Sequence, residues 1–300
     1  MDPQSSSRNE ARRTIIRIVK PTPFHPDDSH PRHPFPEDLF PRDPRCTSVE
    51  APQIDEEEFR SILLFENERV LALDKPGWLV CHPSKAGPGS SLIGAAKRYL
   101  ACDTVHLVSR LDRETSGIVV LAKDRGAARF LQMAVEAREV DKSYAAILEG
   151  ELSEAQTVDV KLVSDRKSPV KVKMRALPTE KDPGVRTIFR PLRHGNGKTL
   201  CAVRTVGGRK HQIRVHAAHL GHPLLGDKLY GADETLYLEF CREGWTARLA
   251  NALSLHRQAL HCDTWRLSND LGVPPLNAPW PEDLRLADIL EAKMKEQNPG

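Results

Sequence analysis

Ser109-Arg-Leu-Asp-Arg-Glu-Thr-Ser-Gly117-Ile-Val-Val-Leu-Ala122 sets one acid between two cations and then runs into a wall of apolar residues. The apolar run 118–122 is rich in β-branched types and ends at Lys123-Asp124, which predicts a strand buried on both faces. The polar run before it must then be the loop that delivers Asp112 to the mouth of that strand, with Thr115, Ser116 and Gly117 supplying the turn. A carboxylate at the edge of a core is partly desolvated, and Arg110 and Arg113 stand ready to keep it ionised. These residues alone leave two readings open: a catalytic carboxylate, or a surface loop with an ordinary ion pair.

Upstream, Ile62-Leu-Leu-Phe65 and Val70-Leu-Ala-Leu73 flank a polar Glu66-Asn-Glu68 and predict a hairpin. It leads into Asp74-Lys75-Pro76-Gly77 and Leu79-Val80-Cys81-His82-Pro83. Asp55 is placed to cap a short acidic helical turn, and 91–100 has helical spacing at Leu92, Ala95, Ala96 and Tyr99. Downstream, 127–137 predicts a helix with Phe130, Leu131, Ala134 and Val135 on one side. Strand alternation then places Val140, Lys142, Tyr144, Ala146 and Leu148 on one face. Further strands are predicted near 158–162, 170–175, 185–191 and 199–206, with 179–184 and 193–198 as exposed loops. Basic residues recur at 161, 166, 167, 171, 173 and 175, which solvated strand faces explain as well as a groove for a polyanion does. After Gly207-Gly208, Ile213, Ala217 and Leu220 fall at helical spacing and Gly221 ends the pattern. A terminal amphipathic helix is predicted over 281–295.

Composition bounds the function. At 300 residues and 39% hydrophobic content the chain can build a real core, and it has no apolar run near 18 residues, which predicts a soluble protein. Six scattered cysteines without a Cys-x-x-Cys pair argue against a zinc site or a disulfide framework and fit a reducing cytoplasm. The net charge of +3 is unevenly spread: residues 1–58 hold 8 Lys and Arg against 12 Asp and Glu, a net of −4, leaving 36 against 29, or +7, for the remainder. A basic body suits an RNA surface. Ten prolines fall within residues 1–52, so that segment is expected to be an extended, mostly disordered lead, save for Thr14-Ile-Ile-Arg-Ile-Val19 as a short edge strand. The folded domain is assigned to 53–300.

Other chemistries find little support. His211, His216, His219 and His222 crowd one helix, and i, i+3 neighbours can chelate, but no Asp, Glu or Cys stands among them. Gly89-Ser90-Ser91 is not a Gly-x-Ser-x-Gly elbow, and no Gly-x-Gly-x-x-Gly or phosphate-binding loop is present. No metal or cofactor is therefore expected.

Arg110-Leu-Asp-x-x-Thr-Ser-Gly117 with its apolar strand and Ala122-Lys123 resembles the active-site motif of the RluA-type pseudouridine synthases, which isomerise uridine in ribosomal and transfer RNA. Three other segments match that family in order: the strand, Lys75-Pro-Gly77, strand, His82-Pro83 series; Arg138-x-Val140-x-Lys142-x-Tyr144-x-Ala146; and Gly208-Arg209-x-His211-Gln-Ile-Arg-Val-His216. Arg257-Gln-Ala-Leu260-His261 with Trp265-Arg-Leu267 is similar to the family's last strand pair, so the resemblance covers 62–268. Two departures stand out, Ser109 where the family usually has His and Gly207 where Thr is common.

The resemblance implies an α+β fold: a mixed, largely antiparallel sheet with flanking helices around a central RNA-binding cleft. It implies an isomerase with Asp112 as nucleophile or base, Tyr144 stacking on the flipped uracil, and Arg214 pairing bidentately with Asp112. Arg110 would fill the gap left in the RNA, while Lys142, Arg209, Lys210, His211 and Gln212 would contact it. The expected partner is ribosomal or transfer RNA, and the expected protein is a cytoplasmic monomer. The alternative is a relative that binds RNA in the same cleft without turnover.

Overall fold

In the computed structural model of the chain, the apolar wall after Asp112 is a strand with every residue buried. The structure describes residues 15–16, 44–46, 48, 50–82, 87–178, 184–268 and 271–284. In chain order the strands are β1 (Ile15–Ile16), β2 (Leu63–Glu66), β3 (Val70–Lys75), β4 (His106–Leu107), β5 (Ser116–Ala122), β6 (Val140–Glu149), β7 (Gln156–Ser164), β8 (Met174–Leu177), β9 (Val185–Gly195), β10 (Lys198–Val206), β11 (Leu260–Leu267) and β12 (Leu276–Asn277). The helices are α1 (Glu56–Ser61), α2 (Leu92–Leu100), α3 (Arg125–Glu136), α4 (Gln212–His219), α5 (Thr235–Glu243) and α6 (Ala247–Ala252). The strands join in one sheet of order β1-β2-β3-β5-β11-β6-β10-β9-β7-β8, with β4 on β5 and β12 on β11. This is the mixed, largely antiparallel α+β sheet expected.

Local chemistry explains the helix starts. Asp55, Ser91 and Asp124 each stand in extended backbone and accept an N–H from the first turn of α1, α2 and α3 through their side chains. One core lies over β2, β3 and β5, where Leu71, Leu73, Val119 and Leu121 meet Phe59, Leu92 and Leu131 of the helices. A second lies where Ala146, Leu148, Phe189, Cys201 and Val203 of β6, β9 and β10 receive Ile213 and Ala217 of α4. Tyr144 packs against both.

The two halves of the sheet meet at its parallel pair, β5 with β11, in which Ser116 faces His261 and Gly117 faces Cys262. Gly117 has a φ of +106°, and a Cβ there would lie 2.2 Å from the carbonyl oxygen of Cys262, so only glycine permits this junction. On its other side β11 pairs with β6, and the register slips between His261 and Thr264, which face Ala145 and Ser143. Cys262 and Asp263 therefore both oppose Tyr144, a bulge that re-aims the strand at the centre of the sheet.

Several expectations are corrected. The 193–198 loop is instead the end of β9, the start of β10 and a tight turn at Asn196 and Gly197, whose φ values of 50° and 65° fit a type I′ hairpin. The strand expected over 170–175 is displaced to Met174–Leu177, because Val170 packs with Val215, Leu229 and Tyr230 rather than joining the sheet. What looked like a last strand pair is the single bent strand β11, joined by the short β12. Helices α5 and α6 were not anticipated. Of the lead, Ile15–Ile16 pairs with β2 at the sheet edge; nearly all the rest of 1–52, and the terminal helix beyond Leu284, lie outside the described residues.

Candidate active site

The loop between β4 and β5 carries Asp112 at the centre of the sheet, and buried side chains from distant segments fasten it residue by residue. The Cys81 thiol donates to the Leu111 carbonyl at 3.4 Å. Lys75, fully buried at the end of β3, gives its ammonium to the carbonyls of Pro76 (2.8 Å), Leu79 (2.9 Å) and Arg113 (3.0 Å). Burial lowers its pKa to about 8. Arg113 in turn donates to the Trp78 carbonyl at 3.2 Å. Arg257 donates to the Glu114 carbonyl (3.1 Å), Lys228 to the Glu114 carboxylate (2.8 Å) and Gln258 to the Thr115 hydroxyl (2.7 Å). Ser116 Oγ lies 2.9 Å from His261 Nδ1. Lys75, Lys228, Arg257 and Gln258 are all buried, so the loop is clamped from inside the protein and Asp112 is held on rigid support.

Asp112 is 21% exposed at its side chain, and Arg214 Nη1 donates to its Oδ2 at 3.0 Å. The expected bidentate pair lies elsewhere: Arg214 directs Nε (2.7 Å) and Nη2 (2.8 Å) to Asp227, whose Oδ1 also accepts the N–H groups of Leu229 (2.9 Å) and Tyr230 (3.0 Å). The guanidinium lies over the Tyr230 ring, 4.9 Å from its centroid. Asp227 thus locks the planar fork, and the remaining nitrogen reaches Asp112. Burial works against ionisation of Asp112, but Arg214 beside it prevails and holds the carboxyl below its usual range. Among the described residues nothing hydrogen-bonds to Oδ1, which leaves that oxygen open to a substrate.

Tyr144 projects from β6 opposite the bulge, half-buried. Burial raises its hydroxyl well above the ordinary value, and the neighbouring Cys262 thiol and the Asp112 carboxylate act in the same direction. It is a neutral aromatic surface at neutral pH. Lys142, two residues earlier on the same strand, donates to Ser109 Oγ at 2.6 Å, so the residue that stands in the family's His position is tied to a strand cation. Burial lowers the Lys142 pKa.

Of the remaining anticipated residues, Arg110, Arg209 and Lys210 are exposed and available to a polyanion. Gln212 is 5% exposed, and its amide is engaged internally with Arg209 N (3.1 Å), Arg186 O (2.9 Å) and Thr187 Oγ1 (3.1 Å). It braces the start of α4. His211, in left-handed backbone with a φ of 57°, turns inward, with Nδ1 2.7 Å from the Tyr230 hydroxyl and Nε2 3.8 Å from Asp112 Oδ2. The histidines on this segment diverge: His216 Nδ1 meets Thr187 Oγ1 and His222 Nδ1 meets the Glu149 carbonyl.

Sequence reasoning missed Asp227, Tyr230, Lys228 and the buried Arg257-Gln258 pair. A signal existed for the first three, since Gly226-Asp227-Lys228-Leu229-Tyr230-Gly231 brackets two charges and an aromatic between glycines, the pattern of a tight turn whose N–H groups can converge on a carboxylate. Arg257 and Gln258 open the segment that resembles the family's last strand pair, but nothing local marks them as clamps on the catalytic loop.

A continuous α+β sheet with an arginine-held carboxylate at its centre, an aromatic on the same sheet and exposed cations at 110, 209 and 210 fits an enzyme that acts on an anionic polymer. Comparison with known proteins specifies it further: this chain belongs to the RNA pseudouridylate synthase family, whose profile matches residues 69–219. Ribosomal large subunit pseudouridine synthase D of Xanthomonas campestris pv. campestris is 33% identical over 229 residues, covering 74% of this chain and 67% of that protein. The protein of the same name from Escherichia coli K12 is 30% identical over 241 residues, covering 78% and 72%. Among solved structures, human RNA pseudouridylate synthase domain containing 4 shares the fold with a TM-score of 0.59 at 24% identity, over 76% of this chain and 92% of that one. Human RNA pseudouridylate synthase domain containing 1 gives 0.56 at 22%, over 72% and 82%. The chain is therefore an RNA isomerase of the pseudouridine synthase class. Among the described residues no helix is long and apolar enough to cross a membrane.

Proposed function

We propose that this chain converts specific uridines of ribosomal RNA to pseudouridine with Asp112 as its reactive carboxylate. The observation that carries this reading is the asymmetric hold on Asp112: Oδ2 is bound by Arg214, and among the described residues no hydrogen bond reaches Oδ1. The reaction breaks the bond from ribose C1′ to uracil N1, rotates the base and rejoins it through C5, whose hydrogen leaves as a proton while N1 gains one. Atoms and electrons balance without an oxidant or reductant. A fixed, ionised carboxylate can attack or remove a proton in such a sequence. A uridine within a stack must be flipped out to reach it, and Tyr144 offers the extracted base a flat neutral ring. Arg110, Arg209, Lys210 and the more buried Lys142 supply positive charge for the flanking phosphates.

Ribosomal RNA is favoured because the similar bacterial proteins are named for the ribosomal large subunit. Transfer RNA is the other substrate that the resemblance allows. A cytoplasmic monomer, with 1–52 as an extension and 53–300 as the catalytic unit, fits this reading.

Asp112→Asn tests it, since the two side chains are nearly isosteric and differ in charge. The variant should keep its fold and RNA affinity and lose about 10³-fold or more in tritium release from RNA labelled at uridine C5. Release at the normal rate would remove Asp112 from the chemistry, and an unmodified protein that binds RNA but never releases tritium would favour the binding-only alternative. Pseudouridine maps of total RNA with and without the gene identify the substrate.

A further inference from the structure

His211 was expected on the RNA side of the cleft, yet its ring is only 10% exposed and lies between Tyr230 and Asp112. The hydrogen bonds around it determine where its proton resides. The Tyr230 hydroxyl accepts the N–H of Met174 at 2.9 Å and lies 2.7 Å from His211 Nδ1. With one lone pair taken by Met174, the arrangement in which the hydroxyl gives its single proton to Nδ1 uses both its donor and its acceptor capacity. In that arrangement Nδ1 is unprotonated and Nε2 carries the N–H, 3.8 Å from Asp112 Oδ2. The opposite tautomer would make the Tyr230 hydroxyl accept twice and set an imidazole lone pair against a carboxylate. Burial and the adjacent Arg214 lower the His211 pKa to about 4, with Lys210 acting in the same direction and Asp112 and Asp227 against it, so the ring stays neutral at physiological pH.

We propose that His211 is a positioning residue for Asp112: locked as its Nε2–H tautomer by the Tyr230 hydroxyl, it acts with Arg214 to restrain Oδ2 and leave Oδ1 facing the substrate. The proposal rests on the reading of Asp112 as the catalyst. At 3.8 Å the contact is longer than a hydrogen bond and restrains the carboxylate by short-range electrostatics. His211 stands at the start of α4 in left-handed backbone, with a φ of 57°, and from there its ring reaches both Tyr230 and Asp112. The same ring edge contacts Tyr230 in a T-shaped arrangement, and Tyr230 also lies under Arg214, so one tyrosine organises both groups that hold Asp112.

The test measures single-turnover tritium release across pH, together with RNA affinity at two salt concentrations, for four variants. His211→Leu removes the donor. It should lower the saturated rate about tenfold, the equivalent of ~1.4 kcal/mol, and move the acid limb of the profile upward as Asp112 loses a stabilising N–H, with RNA affinity unchanged. His211→Gln restores an amide N–H at similar reach and should return to within about threefold of the parent rate. Tyr230→Phe keeps the ring beneath Arg214 but releases the tautomer, and should shift the acid limb in the same direction as His211→Leu. This second route decides the matter if His211→Leu fails to fold. A normal rate and acid limb in both His211→Leu and Tyr230→Phe overturns the proposal, as does weakened RNA binding with a normal saturated rate. Asp112→Asn is the fourth variant: if it turns over normally, the reading of Asp112 has failed, whereas an inactive Asp112→Asn beside a normal His211→Leu rejects only the role of His211.

Discussion

At the scale of single residues, one guanidinium serves two acids. Arg214 gives Nε and Nη2 to Asp227 and Nη1 to Asp112, a division that a lysine cannot copy because its ammonium is a point donor on a flexible stem. Arg214→Lys should therefore lower single-turnover rate by about tenfold or more, with RNA affinity and its salt dependence preserved. It should also lower stability by about 3 kcal/mol, read as a shift in denaturant midpoint, since Asp227 is buried and loses its fork. If Arg214→Lys instead weakens RNA binding and leaves the saturated rate normal, the pairing is not what Arg214 contributes. Asp227→Asn is the complementary case: it releases the fork, so the rate should fall although the substituted side chain never touches Asp112.

The critical element is the junction of the catalytic loop, β5 and β11. The loop is fastened by Lys75, Lys228, Arg257 and Gln258, and its exit through Gly117 allows β11 to approach in parallel. Gly117→Ala places a methyl group 2.2 Å from the Cys262 carbonyl in a left-handed backbone, so it should cost about 3 kcal/mol or more and separate the two half-sheets at the site. The expected result is a lowered denaturant midpoint together with loss of turnover. An unchanged midpoint would mean that the junction opens without cost. The same junction explains the setting of Tyr144, because the β11 bulge, not the alternation of β6 alone, places Cys262 and Asp263 opposite it.

For the molecule as a whole, buried titratable groups predict acid lability. Burial, the largest cause in each case, lowers His211, His216 and His261 from 6.5 to about 4. Between those pH values the unfolded chain binds protons that the folded chain refuses, so this stability is full above pH 6.5 and is lost as pH falls toward 4. Each histidine contributes about 3 kcal/mol to that loss. Asp74 works in the other direction, since burial raises it to about 7 and its folded form gains stability as pH falls. The net loss should be on the order of 5 kcal/mol, measured as the denaturant midpoint at pH 7 and pH 4.5. His216→Gln keeps a partner for Thr187 without titrating, and should flatten the dependence; an unchanged slope would remove His216 from the account. Binding is a property of the whole surface too. Exposed Lys210, changed to Ala, should weaken RNA affinity and reduce the salt slope by about one unit, leaving saturated turnover intact.

The buried strand after Asp112, the cap at Asp55, the helices α2, α3 and α4 and the strands β2, β3, β6 and β10 follow from local pattern, and the contact of Arg214 with Asp112 from motif. Periodicity and capping act over a few residues, so a linear reading suffices for them. The Asn196-Gly197 dipeptide carries the same kind of local signal, that of a type I′ hairpin turn. Only the tertiary structure decided which acid receives the fork of Arg214, that Gln212 and His211 face inward, and that Lys75 and Arg257 close on one loop from opposite ends of the domain. Those outcomes depend on groups 13 to 143 positions apart along the chain competing for the same few donors and acceptors. Such a competition is settled by distance and burial after the sheet has closed, and no local stretch of sequence contains it.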